Sequence, residues 1–92
     1  MTIRDLVNEK GATVIDVRSS WEYADGHIEG ALNIPLDEIP TRISEIKDLK
    51  APYLLYCQSG NRSGMATSLL QQSGVEEVYN SGGLADMRIA LM

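Results

Sequence analysis

Short runs of β-branched and aromatic residues alternate with helix-patterned segments along this 92-residue chain, and no other feature restricts its fold as strongly. Four strand-like runs stand out, at 13–17, 31–34, 53–56 and 77–79. Strands that are joined through helices run parallel, because a parallel pair needs a crossover connection. The pattern therefore predicts an α/β fold, and a chain of this length has room for one domain over 1–92.

Capping and turn residues set the predicted helix boundaries. Thr2 is expected to cap the first helix and Gly11 to end it, while residues 19–26 predict a short capped turn of helix. Pro40 is expected to begin the third helix and Ser63 to cap the fourth. The apolar stripes assigned to the last three helices are Ile39, Ile43, Ile46 and Leu49; Ala66, Leu69 and Leu70; and Leu84, Met87 and Leu91.

The charge balance narrows the classes of partner. Eight basic and 13 acidic residues give a net charge of −5, which argues against nucleic acid or an anionic membrane as the principal partner. No stretch is apolar and long enough to span a bilayer, and the first residues do not resemble a secretory leader. The chain is therefore expected to be cytoplasmic, or periplasmic if a leader has been removed. A lone cysteine fits a reducing compartment.

That cysteine, Cys57, directly follows the apolar run 53–56 and opens a polar, glycine-containing loop that leads into a helical pattern. Backbone N–H groups of such a loop and of the first helical turn can converge on the sulfur, where they favour negative charge. The sequence therefore predicts an activated thiolate. The alternative is a buried core thiol, because free cysteine is among the most buried residue types.

The predicted activation needs more than a helix terminus. A thiol of pKa about 8.5 is only slightly ionised at pH 7, and lowering its pKa by about two units takes roughly 2.7 kcal/mol. A helix dipole at an exposed site supplies only about 0.3–1 kcal/mol. Direct N–H···S contacts and the guanidinium of Arg62 are expected to supply the remainder, and Gly60 lets the loop curl.

Three ordered motifs resemble the signatures of rhodanese-like domains. The first combines 14–18, Glu22 and 26–35, the second is the loop that begins at Cys57, and the third is 82–83. The match runs from about 13 to 88. In its short length the chain resembles the single-domain thiosulfate sulfurtransferases of the phage-shock type. The resemblance implies a small parallel β-sheet flanked by helices on both faces.

The resemblance also implies a reaction. Cys57 takes a sulfane sulfur from a small anionic donor such as thiosulfate, holds it as a persulfide and passes it to cyanide or a thiol acceptor by double displacement. No cofactor is implied, and one histidine with one cysteine makes no credible metal site. A protein sulfur acceptor is a further partner to consider. The residues expected to hold the donor and the persulfide are Gln58, Ser59, Gly60, Asn61, Arg62 and Ser63.

Other functions remain open at this point. Cysteine-dependent phosphatases place five residues between cysteine and arginine, whereas four separate Cys57 from Arg62, and Tyr56 stands where protein phosphatases have a histidine. The shorter loop favours a terminal sulfur over a tetrahedral phosphate. A partner-loaded persulfide carrier and a non-enzymatic docking module are the alternatives. Redox sensing lacks a second, resolving cysteine within the chain.

The remaining polar motif residues are expected to be structural. Asp16 and Arg18 are predicted to form an ion pair or a backbone-capping network at a strand end, with Arg18 a secondary candidate for anion contact. Glu22, His27 and Asn33 are interpreted as scaffold groups, and Trp21 and Tyr23 as packing against the sheet. The backbone at 82–83 is expected to pass close to the cysteine loop. Met87 replaces the tryptophan usual in the family, which predicts a more open pocket wall.

Overall fold

The computed structural model describes all of residues 1–92 as a four-stranded sheet with helices on both faces. The strands are β1 (Thr13–Asp16), β2 (Leu32–Asn33), β3 (Tyr53–Cys57) and β4 (Val78–Gly83). The helices are α1 (Ile3–Asn8), α2 (Ser20–Asp25), α3 (Ile43–Lys47), α4 (Asn61–Gln72) and α5 (Leu84–Ala90), with a 3₁₀ helix over Leu36–Thr41. The predicted α/β fold is therefore confirmed.

All strand pairs are parallel, and the strand order is β2-β1-β3-β4. From β1 the chain moves outward to β2 and then crosses back to β3 on the other side of β1. The order thus reverses between the two central strands, and open parallel sheets bind ligands beyond the carboxyl ends of their strands at such a switch point. Asp16 ends β1 and Cys57 ends β3, so both residues lie at this edge.

Side chains alternate along β3 between two apolar clusters, one on each face of the sheet. Leu55 and Cys57 belong to the cluster beneath α3 and α4, whereas Leu54 and Tyr56 belong to the cluster beneath α1 and α5. All five β3 side chains are buried. This is the pattern of a central parallel strand that is covered on both faces, and it fixes the face to which each side chain points.

Helix α4 begins earlier than the sequence predicted. Ser63 is not its N-cap: the helix starts at Asn61, and its N-cap is Gly60, which has φ +99°. A residue in this left-handed region lets the chain turn from the loop into the helix within one residue, and glycine takes that conformation without strain. Ser63 therefore lies in the first turn of α4, where it is fully buried and not at the surface.

Three further sequence expectations were wrong. Pro40 does not begin a helix but lies inside the 3₁₀ helix. The Arg42 N–H donates to the Ile39 carbonyl, as in the tighter turns of a 3₁₀ helix, and α3 begins only at Ile43. Trp21 does not pack against the sheet, because α2 turns this side chain outward and leaves it 73% exposed. Leu69 is likewise exposed on α4.

Candidate active site around Cys57

The thiol of Cys57 is enclosed by the loop that follows it. Its side chain is only 1% exposed, and its Sγ accepts a hydrogen bond from the Gly60 N–H at 3.0 Å. The hydroxyl oxygen of Ser63 lies 3.4 Å from the same sulfur. The structure thus combines the two sequence interpretations: the cysteine is buried, and polar donors also converge on it.

These contacts set the ionisation of the thiol. Burial raises the pKa of Cys57, but hydrogen bonds from the Ser63 hydroxyl and from the backbone N–H groups of Ser63, Ser59 and Gly60 outweigh it. The net effect lowers the pKa of the thiol below its ordinary value. Hydrogen bonds to the charged form are the physical cause, as expected for a loop whose amides face an anion.

Replacing Ser63 with alanine is expected to raise the pKa of Cys57. Loss of one donor worth about 1 kcal/mol should slow alkylation by iodoacetamide at neutral pH about 5-fold, since only the thiolate reacts. The measurement is the alkylation rate across a pH series. Ser68→Ala is the matched control, because Ser68 is an exposed serine of the same helix. An unchanged pH midpoint in Ser63→Ala would contradict the prediction.

Asn80 holds the loop in place from the edge strand β4. Its Nδ2 donates to the Gly60 carbonyl at 3.1 Å, and its Oδ1 accepts from the Gly82 N–H at 3.1 Å. The same Oδ1 lies 2.7 Å from the hydroxyl oxygen of Ser63, whose single hydrogen can point either to this oxygen or to the Cys57 sulfur. Sequence reasoning missed this residue. An asparagine inside a strand, two residues before the first of the glycines at 82–83, was the available signal, because asparagine is depleted in strands.

The glycines at 82–83 pass close to the loop, as the sequence predicted. A Cβ on Gly83 would overlap the carbonyl oxygen of Gln58, and a Cβ on Gly60 would lie 3.4 Å from the Gly82 Cα. The end of β4 is therefore in backbone contact with Gln58 and Gly60 of the loop that follows Cys57. Only glycine at position 83 permits this approach without displacing one of the two segments.

Arg62 pairs with a carboxylate and not with the sulfur. Its Nη1 and Nη2 donate to Glu22 Oε1 and Oε2 at 2.7 and 3.0 Å, which ties the loop to α2. This bidentate pair lowers the pKa of Glu22 to about 2, so the carboxylate stays ionised at neutral pH. That Arg62 steers an anion toward Cys57 stays a prediction. Glu22, interpreted from sequence as a scaffold group, contacts a candidate site residue directly.

The other loop side chains have different surroundings. Gln58 is exposed, and its Oε1 accepts a hydrogen bond from Arg18 Nη1 at 3.2 Å. Ser59 and Asn61 are exposed as well. Ser59 still contributes through its backbone N–H, which helps to lower the pKa of Cys57. Of the six candidate binding residues, Ser59, Gly60 and Ser63 therefore contact the thiol, and that all six hold a donor or a persulfide stays a prediction.

Asp16 and Arg18 form the predicted ion pair beneath this loop. Arg18 Nε lies 3.1 Å from both carboxylate oxygens of Asp16 and its Nη2 lies 2.8 Å from Oδ2, with both side chains buried. Arg18 also donates to the Gly26 carbonyl at 2.7 Å. Its guanidinium thus joins the end of β1, the end of α2 and the side chain of Gln58.

Two residues beside these groups face away from the sulfur. The hydroxyl of Tyr56 accepts the Ile28 N–H at 3.0 Å, and burial raises the pKa of this tyrosine, which therefore stays neutral. Met87 is fully buried in the same cluster as Tyr56, on the face opposite Cys57. The Met87 side chain fills the core beneath α5, and that the missing tryptophan leaves the pocket wall more open stays a prediction.

His27 fixes its own turn. Its Nδ1 lies 2.7 Å from the Tyr23 carbonyl oxygen, and the imidazole stacks on the Tyr23 ring with the two centroids 3.6 Å apart.

Nowhere in the structure do three or more histidine, cysteine, aspartate or glutamate side chains come together as a metal site would require. None of the helices has the length and apolar character needed to cross a membrane.

Comparison with known proteins agrees with this geometry. The profile of the rhodanese-like domain matches residues 2–88. The thiosulfate sulfurtransferase PspE of Escherichia coli is 40% identical over 74 residues, which cover 79% of this chain and 71% of that protein. The uncharacterised protein YqhL of Bacillus subtilis is 47% identical over 72 residues, and the match spans 56% of its length and 78% of this chain.

A solved structure supports the same relationship. The "rhodanese with anions from E. coli" superimposes with a TM-score of 0.74 at 39% sequence identity, covering 82% of this chain and 89% of that one. The chain belongs to the family of rhodanese-like domains, in which its relatives include a thiosulfate sulfurtransferase. The resemblance inferred from the three sequence motifs is confirmed.

Proposed function

We propose that this chain is a sulfurtransferase that moves a sulfane sulfur from thiosulfate to a thiophilic acceptor through a persulfide on Cys57. The observation that carries the proposal is the set of donors around Sγ, in which the Gly60 N–H lies at 3.0 Å and the Ser63 hydroxyl at 3.4 Å. Such donors stabilise a thiolate before reaction and a terminal persulfide anion after it.

In the first half-reaction the Cys57 thiolate attacks the outer sulfur of thiosulfate. A new S–S bond forms, the S–S bond of thiosulfate breaks, and its electron pair leaves with sulfite. The product is a Cys57 persulfide anion, so atoms, electrons and charge balance without an oxidant. A preformed thiolate needs no general base, and Tyr56, which faces the other side of the sheet, is not required.

In the second half-reaction a thiophile such as cyanide attacks the outer persulfide sulfur. Thiocyanate leaves, and the electron pair of the broken S–S bond returns to Cys57 as the thiolate. The loop amides from Gln58 to Ser63 are proposed to hold the outer sulfur between the two steps. Loop size supports sulfur over phosphate, because a tetrahedral phosphate needs donors for several oxygens at once.

The test is the intact mass of the protein after brief treatment with thiosulfate. We expect the wild type to gain one sulfur, roughly 32 Da, which a reductant removes, because the persulfide is a reducible form of the thiol. Cys57→Ala, treated in the same way, is expected to gain nothing. Absence of the gain in the wild type, with Cys57 shown to be reduced, would overturn thiosulfate as donor and favour a partner-loaded carrier or a docking role.

A further inference from the structure

The carboxylate of Glu22 is held in place by its own helix. Its Oε1 accepts from the Ser19 N–H at 3.1 Å and from the Ser19 hydroxyl at 2.9 Å, so the side chain also closes a capping box at the start of α2. Only 16% of the Glu22 side chain is exposed. The acceptor is therefore already oriented when the guanidinium of Arg62 docks on it in a bidentate manner.

The Glu22–Arg62 pair determines the positive charge that acts on an approaching anion. Arg62 is the only basic residue of the loop 57–63, and its two Nη groups both donate to Glu22. A cleft beside Arg62 is also lined by Asp37. The field of the guanidinium is therefore largely cancelled at short range, and a donor anion reaches Cys57 through surroundings that are close to neutral.

We propose that Glu22 determines how strongly the Cys57 site favours anionic over neutral sulfur donors, by neutralising Arg62. For thiosulfate, this inference rests on the function proposed above and adds a specificity residue to it. Glu22 does not touch the reacting sulfur, so its effect passes through the charge of Arg62. Removing the carboxylate exposes that charge and strengthens attraction for a dianion such as thiosulfate, whereas a neutral reagent is affected little.

Two alkylating reagents measure this discrimination without any sulfur transfer. Iodoacetate and iodoacetamide have nearly the same size and react with the same thiolate, so the ratio of their rates cancels changes in thiolate fraction and in steric access that affect both reagents equally. Glu22→Gln keeps an acceptor oxygen for the helix cap and removes the charge. We expect it to raise the iodoacetate-to-iodoacetamide ratio about 5-fold at low salt, equivalent to about 1 kcal/mol, and less at high salt.

The matched control is Glu45→Gln. Glu45 also forms a bidentate pair, accepting from Arg42 Nε and Nη2 at 2.7 and 2.9 Å, but on α3, which leads toward the opposite end of β3. Glu45→Gln produces the same change in net charge as Glu22→Gln, but far from the cysteine loop. We therefore expect it to leave the iodoacetate-to-iodoacetamide ratio at the wild-type value. An increase as large as that of Glu22→Gln would mean that overall charge, and not the pair at the loop, governs the ratio, and would overturn the proposal.

Arg62→Gln supplies the reverse test and remains informative if Glu22→Gln does not fold. It leaves Glu22 unneutralised, so the ratio is expected to fall below that of the wild type. The double variant Glu22→Gln/Arg62→Gln is expected to return close to the wild-type ratio. Ratios that stay at the wild-type value in both folded single variants would show that the pair only ties α2 to the loop, and the proposal would be wrong.

Thiosulfate loading separates this inference from the proposed function. If the wild type forms the persulfide, Glu22→Gln is expected to increase the second-order loading constant by a factor larger than that for iodoacetate, because thiosulfate carries two negative charges and iodoacetate one. If the wild type forms no persulfide, the proposed function fails, yet the alkylation ratios still decide the role of Glu22. A loading constant that falls in Glu22→Gln while the ratio rises would refute the extension to thiosulfate.

Discussion

Asp16→Ala is expected to lower the free energy of unfolding by about 3–5 kcal/mol, because it leaves the buried guanidinium of Arg18 without its countercharge. Asp16 is fully buried and accepts three hydrogen bonds from the Arg18 side chain and one from the Arg18 N–H at 2.9 Å. A chain of this size has a total stability of about 5–14 kcal/mol, so the loss is a large share of it.

Urea unfolding followed by circular dichroism measures the effect. Glu45→Ala is the control, because it also removes a carboxylate from an arginine pair, but the Glu45 side chain is 54% exposed. Exposed pairs contribute only about 0.2–1 kcal/mol. Replacing both partners, as Asp16→Ala with Arg18→Met, should recover part of the loss, since no unpaired buried charge remains. A loss below about 1 kcal/mol in Asp16→Ala would contradict the prediction.

Gly83→Ala is expected to reduce persulfide formation on Cys57 at least 10-fold. The backbone of Gly83 has φ −96° and ψ 171°, a conformation open to any residue, so strain in its own dihedral angles is not the cause. The cause is that a Cβ would overlap the Gln58 carbonyl oxygen and push the loop away from its position around the sulfur. Overpacking of this kind also costs about 1–3 kcal/mol of stability.

Two measurements on this variant distinguish displacement of the loop from general unfolding. Urea unfolding gives the fraction folded under assay conditions, and the loading constant is then compared for folded protein only. The pH midpoint of iodoacetamide alkylation should also move upward, because the Ser59 and Gly60 amides that lower the pKa of Cys57 belong to the displaced loop. Wild-type loading and an unchanged midpoint would show that the loop absorbs the extra methyl group.

The sheet and the cysteine loop could be predicted because their signals are local. Short apolar runs that alternate with helix-patterned segments predict the strands. The change from the apolar run 53–56 to a polar loop with Gly60 predicts a strand end. The start of α4 was misplaced because the cap is a backbone conformation of Gly60, whereas Ser63 has the side chain of a typical cap. The exposure of Trp21 depends on the orientation of α2 in the folded chain, which no local pattern gives.

The connections that complete the candidate site are long-range, and this explains why sequence reasoning did not find them. Glu22 and Arg62 are 40 residues apart, and Asn80 is 17 residues from Ser63. Their pairing depends on the parallel sheet bringing α2, β4 and the loop to the same edge. The ion pair between Asp16 and Arg18 was predictable, because two residues separated by one position at a strand end can reach each other, whereas its burial depends on the folded chain.

The alternation of side chains along β3 has a consequence for how this molecule can change. Leu54 and Tyr56 serve one apolar cluster, and Leu55 and Cys57 serve the other. Inserting or deleting one residue in this strand would exchange the two sets and turn the reactive sulfur toward the wrong helices. The length of this strand therefore admits no variation, either in evolution or in laboratory libraries.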